Sequence, residues 1–508
     1  MPHGASTPKW FTPLRLLLLF CFVNLFVYLD RGLIASNGVN GSPPSEEFPQ
    51  GTGIQGEFGL TYFQDGLLPA AFMVGLLLSS PVFAEVCKQY SAFRLLGIGM
   101  GVWMAACALC GLAPNFPVLL LCRAFVGVGE ASFVALAAPF IDDSAPPASK
   151  ATWFAAFYLC IPVGFALGYI AGGSIAPVLG WRAAFWFEAA AVVPFVIFAL
   201  TAQPLHLAGT KDKVGHGHGG SAHNSSSGND APGEGGAGKG GWRRWWASWA
   251  ALARAFGADV AVVARQRVWL CTCGAYTLYV AVLGVYAYWG PKAGAALYFQ
   301  GQSGSQADLV FGGVTVITGV LGSVGGGLLL DKGAKSSLRG ATLICGASCL
   351  LGLVVLLPAF LATKSYAAFM ASFALGQLLI FLLQAPVVAV QMWCVPTSLR
   401  PLGASLMTVA IHALGDVPSP PLLGALQSAL AAGKSPEEAA QQWRISMSLV
   451  TLLLAGAGGL FLLAAKYSVP GADYRTRAGS TDRLGDQAPL LDEEADEEGG
   501  VEGGEGVG

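Results

Sequence analysis

Apolar residues run in long blocks along this chain, and polar residues gather between the blocks. A helix of about 20 apolar residues is long enough to cross the hydrocarbon core of a bilayer. Twelve such blocks are present, at 14–35, 60–83, 94–113, 117–141, 151–176, 182–202, 268–290, 307–331, 339–361, 365–393, 401–430 and 443–466. The pattern predicts an all-α membrane protein of two six-helix halves, a layout typical of transporters with repeated halves.

Composition supports a membrane location for most of the chain. Only 11% of the residues are charged, the mean hydropathy is +0.58 and 54% are hydrophobic. Soluble domains carry about 25% charged residues. The 11 cysteines lie almost entirely inside apolar segments. No histidine accompanies close pairs such as Cys107 and Cys110, so we expect buried thiols, no metal site and no cofactor.

Lysine and arginine are distributed unequally between the two sets of loops. The excess falls on the side that carries both termini and the central linker, which predicts cytoplasmic termini. The resulting domain boundaries are a cytoplasmic N-terminus at 1–13, a first half at 14–206, a disordered Gly/His-rich linker at 207–241, an amphipathic helix at 242–267, a second half at 268–466 and a disordered acidic tail at 467–508.

Two polar regions carry features of their own. In 242–267, Trp245, Trp249 and Phe256 share one helical face, which fits a helix on the membrane surface or one packed on the inner face of the protein. In the tail, "DQAPLL" resembles the acidic dileucine signal that clathrin adaptors read. Asp486, Leu490 and Leu491 therefore suggest a late endosome, lysosome or vacuole membrane.

Charged residues occur where hydrocarbon should surround them. The stretch "CRAFVGVGEASF" places Arg123 and Glu130 two helical turns apart on one face. Ionisable residues inside a membrane are costly and usually functional. Two turns are too far for direct contact, so each residue should meet a partner on another helix, first of all the one that carries Asp30 and Arg31.

Other segments carry polar stripes or close-packing faces. Asn24 and Tyr28 share a face with Arg31, His412 and Asp416 are spaced for a hydrogen bond, and three glutamines recur every seven residues. We predict a substrate cavity lined by Asn24, Tyr28, Gln377, Gln384, His412 and Asp416. Pro418, Pro420 and Pro421 should break the helix that follows, and Gly164, Gly168 and Gly172 should allow another helix close approach.

The charged set indicates a mechanism. An arginine that moves relative to a buried carboxylate changes how strongly the carboxylate holds a proton. Asp30, Arg31, Arg123 and Glu130 could therefore couple protons to a conformational cycle. The hypothesis requires Glu130→Gln to abolish pH-dependent transport.

Several motifs together resemble the spinster family of the major facilitator superfamily, closest to its plant-type members. They are "YLDRG", "CRAFVGVGEASF", "APFIDD", "FYLCIPVGFALGYIAGG", "WRAAFW" and "HALGDVPSP". The resemblance implies a proton-linked transporter of lysophospholipids, sphingosine or sphingosine phosphate. It also implies coupling and gating roles for Asp30, Arg31, Arg123 and Glu130, and a cavity position for His412.

One loop departs from the superfamily pattern. The loop between the second and third helices normally holds a glycine and an Asp-Arg pair, and "PVFAEVCKQYSAFR" has neither. Glu85, Lys88 and Arg94 are the residues that could replace them in a cytoplasmic gate. The corresponding loop of the second half keeps Asp331 and Lys332.

Alternatives remain open at this level. The superfamily fold does not set the substrate, so a carrier of small organic anions or sugars is a second interpretation. A membrane lipid sensor that does not transport is a third, and a channel is disfavoured because no filter motif occurs. No enzyme motif is present, since "GxGEAS" lacks the strand and third glycine of a dinucleotide site. We expect a monomer with no nucleic-acid partner.

Overall fold

The first six membrane helices pack into one half of the molecule. The structure is a computed structural model that describes residues 8–43, 49–87, 90–146, 150–205, 254, 256–298, 305–396 and 399–475. The helices of the first half are α1 (Pro13–Ala35), α2 (Tyr62–Val86), α3 (Ala92–Cys110), α4 (Phe116–Ser144), α5 (Lys150–Leu179) and α6 (Trp181–Thr201).

The second half repeats this arrangement with more irregular helices. It holds α7 (Arg267–Tyr298), α8 (Ser305–Leu328), α9 (Leu338–Ala362), α10 (Tyr366–Phe381 and Gln384–Trp393), α11 (Arg400–Ile411 and Ser419–Ala431) and α12 (Pro436–Thr451 and Leu453–Tyr467). Among the described residues, eleven helices are long and apolar enough to cross a membrane. The interrupted α11 is the twelfth, as the hydrophobic pattern predicted.

Local sequence explains where several helices begin. The Asn115 side chain accepts a hydrogen bond from the Val118 amide at the start of α4. At the start of α12, Ser435 and Glu438 form a reciprocal capping box. Such caps satisfy amide groups that have no partner inside the helix, and each is worth about 1 kcal/mol.

Helix α11 is interrupted before the prolines at which the sequence predicted the break. A π-helical turn spans His412–Asp416, ahead of all three prolines. Pro420 and Pro421 instead lie in the first turn of the following segment, which starts at Ser419. A proline there costs no hydrogen bond, because first-turn amides have no intrahelical partner.

Two other regions differ from the expected boundaries. Helix α7 continues to Tyr298, past the predicted end at 290. Pro291 lies inside the helix, and the ammonium group of Lys292 binds the buried Asp65 carboxylate. The loop after α1 forms two short helices, Asn37–Asn40 and Gly53–Glu57. In the predicted amphipathic helix, 256–264 are helical with Phe256 exposed, whereas Trp245 and Trp249 lie outside the described residues.

Glycines bring helix backbones together, as predicted for α5. A Cβ atom on Gly168 would lie 2.2 Å from the Leu29 carbonyl oxygen of α1. The two halves also meet through glycine, since Cβ atoms on Gly66 and Gly424 would lie 2.6 Å and 2.1 Å from backbone oxygens of α11 and α2. Close α2–α11 packing joins the halves at the end of the bundle where α1 ends, here called the closed end.

Candidate functional site

A cavity of about 1000 Å³ lies between the two halves. Its wall is mostly aliphatic and aromatic, with Phe72 and Phe165 from the first half and Phe311 and Phe381 from the second. Polar groups enter the wall from both halves: Arg31, Arg123, Tyr169, Tyr276, Thr315, Ser323, Gln377, Gln384, Gln391, Thr408 and Asp416. A largely apolar cavity with few polar groups is typical of a small-molecule or lipid site.

Arg123 of α4 is paired with Asp30 of α1. The guanidinium donates from Nη1 to Oδ1 at 2.6 Å and from Nη2 to Oδ2 at 2.8 Å. Arg123 is 1% exposed and Asp30 is 0% exposed. A bidentate geometry of this kind is the arrangement that offsets the cost of burying two charges.

Arg31 of α1 is paired with Glu130 of α4. Arg31 Nη2 donates to Glu130 Oε1, and the guanidinium lies over the rings of Tyr28 and Phe72, at 4.6 Å and 4.8 Å from their centroids. The two α4 charges therefore find their partners on α1, as predicted. Arg31 faces the cavity, whereas Glu130 lies fully buried behind it.

Glutamines of the second half form a hydrogen-bonded part of the cavity wall. Gln384 accepts a hydrogen bond from Tyr276 and donates one to Tyr279, both at 3.3 Å. Gln377 accepts from Thr318 at 3.2 Å. Gln377, Gln384 and Gln391 all line the cavity, so their seven-residue spacing correctly indicated one inward face.

Of the other predicted cavity residues, some line the cavity and some do not. Asp416 lines the cavity, and the Nδ1 atom of His412 lies 2.9 Å from its carboxylate. Asn24 does not belong to the wall, because it is buried and donates to the Phe157 carbonyl of α5 at 2.8 Å. Tyr28 supports Arg31 from behind the wall. The polar stripe on α1 thus serves helix packing at Asn24 and the cavity at Arg31.

The predicted gate residues lie at the end of the bundle opposite the closed end. Glu85 belongs to the last turn of α2, and Arg94 is exposed in the first turn of α3. Asp331 accepts from the Ser336 hydroxyl at 3.0 Å, and Lys332 is exposed beside it. Lys88 and the tail residues Asp486, Leu490 and Leu491 lie outside the described residues.

The closed end holds a buried polar network that the sequence interpretation missed. Lys292 of α7 donates to Gln55 at 2.6 Å, to Asp65 of α2 at 3.1 Å and to Asn40. Tyr288 donates to the same Asp65 carboxylate at 2.7 Å. The network joins the two halves, so it must break before this end can open.

A second contact between the halves lies close to this network. The Asp308 carboxylate of α8 accepts from the Asn37 amide at 3.0 Å and from the Asn37 side chain at 2.7 Å. Lys292, Asp65 and Asp308 each lie near the end of an apolar block. None of the three was singled out from the sequence, although a search for charges within one turn of a block end would have found Lys292 and Asp308.

Glu188 of α6 is also a buried charge that the sequence interpretation did not single out. Its side chain is fully buried, and an oxygen of its carboxyl group lies within 4.8 Å of ligand atoms of Asp30 and Cys107. The motif "FWFEAA" carried the signal, because a lone acid in an apolar segment is unusual.

These features define a membrane transporter of the major facilitator superfamily. The superfamily profile matches residues 20–420. The crystal structure of a bacterial homolog of the human lysosomal transporter spinster, inward-facing and occupied, superposes with a TM-score of 0.67. That alignment covers 92% of this chain and 99% of the bacterial one at 18% identity, and it supports the fold alone.

Closer relatives place the chain within the superfamily. It is 41% identical over 494 residues to probable sphingolipid transporter spinster homolog 2 of Arabidopsis thaliana, covering 96% of this chain and 94% of that protein. It is 43% identical over 455 residues to homolog 1 of the same plant, covering 89% and 88%. The chain belongs to the spinster family, and it is a transporter and not an enzyme.

Proposed function

We propose that this protein moves a sphingolipid or a lysophospholipid across a membrane by alternating access, with proton coupling. The observation that carries the proposal is the Arg31–Glu130 pair, in which a cavity-facing cation is held by a buried acid. The apolar wall suits an acyl or sphingoid chain, and the cation suits a phosphate headgroup. The names of the Arabidopsis relatives support the substrate class.

Competition for Arg31 provides the coupling. When Glu130 is ionised it holds the guanidinium, and a bound phosphate must displace it. When Glu130 is protonated its charge is gone, and Arg31 is free to bind an anionic headgroup. Because lipid and proton then act on the same guanidinium, each alters the affinity for the other.

Alternating access follows from the unequal ends of the bundle. Contacts across the halves, including the Lys292–Asp65 ion pair, hold the closed end together. Breaking them while the opposite end closes would expose the cavity to the other side of the membrane. We assign the closed end to the lumen, because the distribution of lysine and arginine favours cytoplasmic termini.

The cellular setting belongs to the same proposal. The protein would act as a monomer in a late endosomal, lysosomal or vacuolar membrane, carried there by clathrin adaptors that bind the Asp486–Leu491 motif. The sequence "DQAPLL" in the acidic tail supports this compartment.

Uptake by proteoliposomes tests the proposed function directly. Purified protein is reconstituted, and labelled sphingosine phosphate, sphingosine and lysophosphatidylcholine are offered with and without a pH gradient. We expect a gradient to accelerate at least one phosphate-bearing lipid, and Arg31→Gln to remove that effect. Movement of none of these lipids under either condition would favour a sensor, and movement of small organic anions alone would favour the carrier alternative.

A further inference from the structure

Glu188 lies in the interior of the first half without an evident counter-charge of its own. It is 0% exposed, and neither carboxyl oxygen has a hydrogen-bond partner among the described residues. An ionised carboxylate in such a position costs several kcal/mol unless it is paired. The side chain must therefore be neutral or share a charge with a neighbour.

Its neighbours come from three helices. Asp30 of α1 and Cys107 of α3 each place a ligand atom within 4.8 Å of the Glu188 carboxyl. The Asp30 carboxylate is in turn bound by both terminal nitrogens of Arg123 of α4. Asp30 therefore already has a cation as its partner, whereas Glu188 has no ion-pair partner among the described residues.

The buried charges do not balance as ionised groups. Among the described residues, three acids lie in this part of the first half, Asp30, Glu130 and Glu188, whereas two cations lie there, Arg31 and Arg123. With each arginine committed to one acid, the third acid is left over. A single proton makes the set neutral, and the one acid without a cation is the natural place for it.

Resting on the proposed function, we propose that Glu188 is a second proton-binding residue of the transporter. It holds a proton in this conformation and donates it as a hydrogen bond toward the Asp30 carboxylate. Glu130 responds to the cavity through Arg31, whereas Glu188 responds to the Asp30–Arg123 pair. Any movement of Arg123 away from Asp30 alters the charge next to Glu188 and so changes its hold on the proton.

A bound metal ion would be a different use of the same three ligand atoms. A carboxylate pair and a thiol could ligate a cation, but the Arg123 guanidinium sits against one member of the pair. The Arg123 charge would repel a metal ion bound to Asp30. A proton on Glu188 instead neutralises that carboxyl group and needs no extra space. The geometry therefore favours a proton over Na⁺ or a divalent ion.

Infrared difference spectroscopy of the purified full chain in nanodiscs tests the assignment without transport. A protonated carboxyl group has a carbonyl band that an ionised one lacks. We expect the wild-type protein to show such a band at neutral pH, Glu188→Gln to lose it, and Glu188→Asp to restore a shifted one. Persistence of the whole band in Glu188→Gln would overturn the proposal.

Two further arms keep the result interpretable. Cys107→Ala removes a neighbour but not the acid, so it should move the band without abolishing it. That variant serves as the test if Glu188→Gln does not fold, and an unmoved band would then contradict the proposal. Loss of the wild-type band on adding NaCl or CaCl₂ to choline buffer would show a cation site instead.

Transport measurements separate this proposal from the proposed function. If the wild-type protein moves lipid with a steep pH dependence, Glu188→Gln should leave a shallower one, because one of two proton-binding groups is gone. The infrared band could be assigned to Glu188 while the protein moves no lipid. That result would support the proton site and overturn only the proposed substrate. An unchanged steepness in Glu188→Gln would overturn the coupling role.

Discussion

The two halves line one cavity with different chemistry. In the first half, Arg31 and Arg123 reach the cavity wall, and each is held by a buried acid. In the second half the polar groups of the wall are mostly neutral, chiefly Gln377 and Gln384, and Asp416 lies beside His412. The comparison suggests that charge and protonation are handled in one half, while the other half provides adaptable hydrogen bonds. The predictions below test that division.

The largest effect is expected at Arg123. Arg123→Ala leaves the buried Asp30 beside Glu188 without its cation, and removing one partner of a buried pair costs about 3 to 5 kcal/mol. We expect a large fall in thermal stability, measured by unfolding in detergent. Asp30→Asn in the same chain should recover part of the loss, and an unchanged unfolding midpoint in Arg123→Ala would show that the pair does not hold α1 to α4.

Glu130→Gln should remove the part of the pH dependence of transport that acts through Arg31 and leave only the part proposed for Glu188. The amide cannot ionise, so Arg31 is no longer released by protonation. We expect gradient-driven uptake to fall by about tenfold or more, equivalent to at least ~1.4 kcal/mol. The measurement is initial uptake over a pH series, and retention of the wild-type pH profile would refute coupling through this residue.

Lys292→Met should loosen the closed end. Asp65 keeps its hydrogen bonds from Tyr288 and Asn40 but loses its cation. The contacts between the halves at this end are then weaker, so we expect faster amide hydrogen exchange in 37–43 and 49–65. Lys434→Met, an exposed lysine between α11 and α12, is the matched control. Equal exchange in the two variants would mean that Lys292 does not hold this end.

Gln384→Leu tests the neutral wall. The change removes the hydrogen bond that the Gln384 amide donates to the hydroxyl of Tyr279, which is fully buried, and one such bond is worth about 1 kcal/mol. We expect KM for the lipid to rise by up to about fivefold with an unchanged pH profile. A shift of the pH profile would break the proposed division between the halves.

The smallest effect is expected at the surface pair of Arg182 and Glu57, whose side chains are 30% and 42% exposed. Burial raises the pKa of Glu57, but hydrogen bonds from Arg182 and Trp181 outweigh it and leave that pKa below its usual value. The resulting stability is present above the unfolded-state pKa and is lost as pH falls through the folded-state pKa. The loss of the ion pair in Arg182→Ala should cost less than about 1 kcal/mol at neutral pH, and the difference from wild type should become smaller in acid. A loss as large as that of Arg123→Ala would contradict the contrast between buried and exposed pairs.

Much of the architecture could be predicted from hydrophobicity, but parts of the site could not. The glutamine spacing in α10 predicted one inward face, because residues seven apart lie on the same side of a helix. The same reasoning placed Asn24 in the cavity wrongly, since a helix buried on several sides has more than one neighbour to which a polar stripe can turn. The charges near block ends were missed because their partners come from distant parts of the chain.

The sequence by itself determined that this chain forms membrane helices in two sets of six, because each apolar block must satisfy its backbone within one helix in lipid. It also determined that α1 and α4 carry buried charges, whose cost implied a function. Only the tertiary structure decided which acid holds which arginine, that Glu188 stands beside Asp30 without a cation, and that Lys292 joins the halves. Those facts depend on distances of a few ångströms between side chains on different helices, which hydrophobic spacing along one helix does not encode.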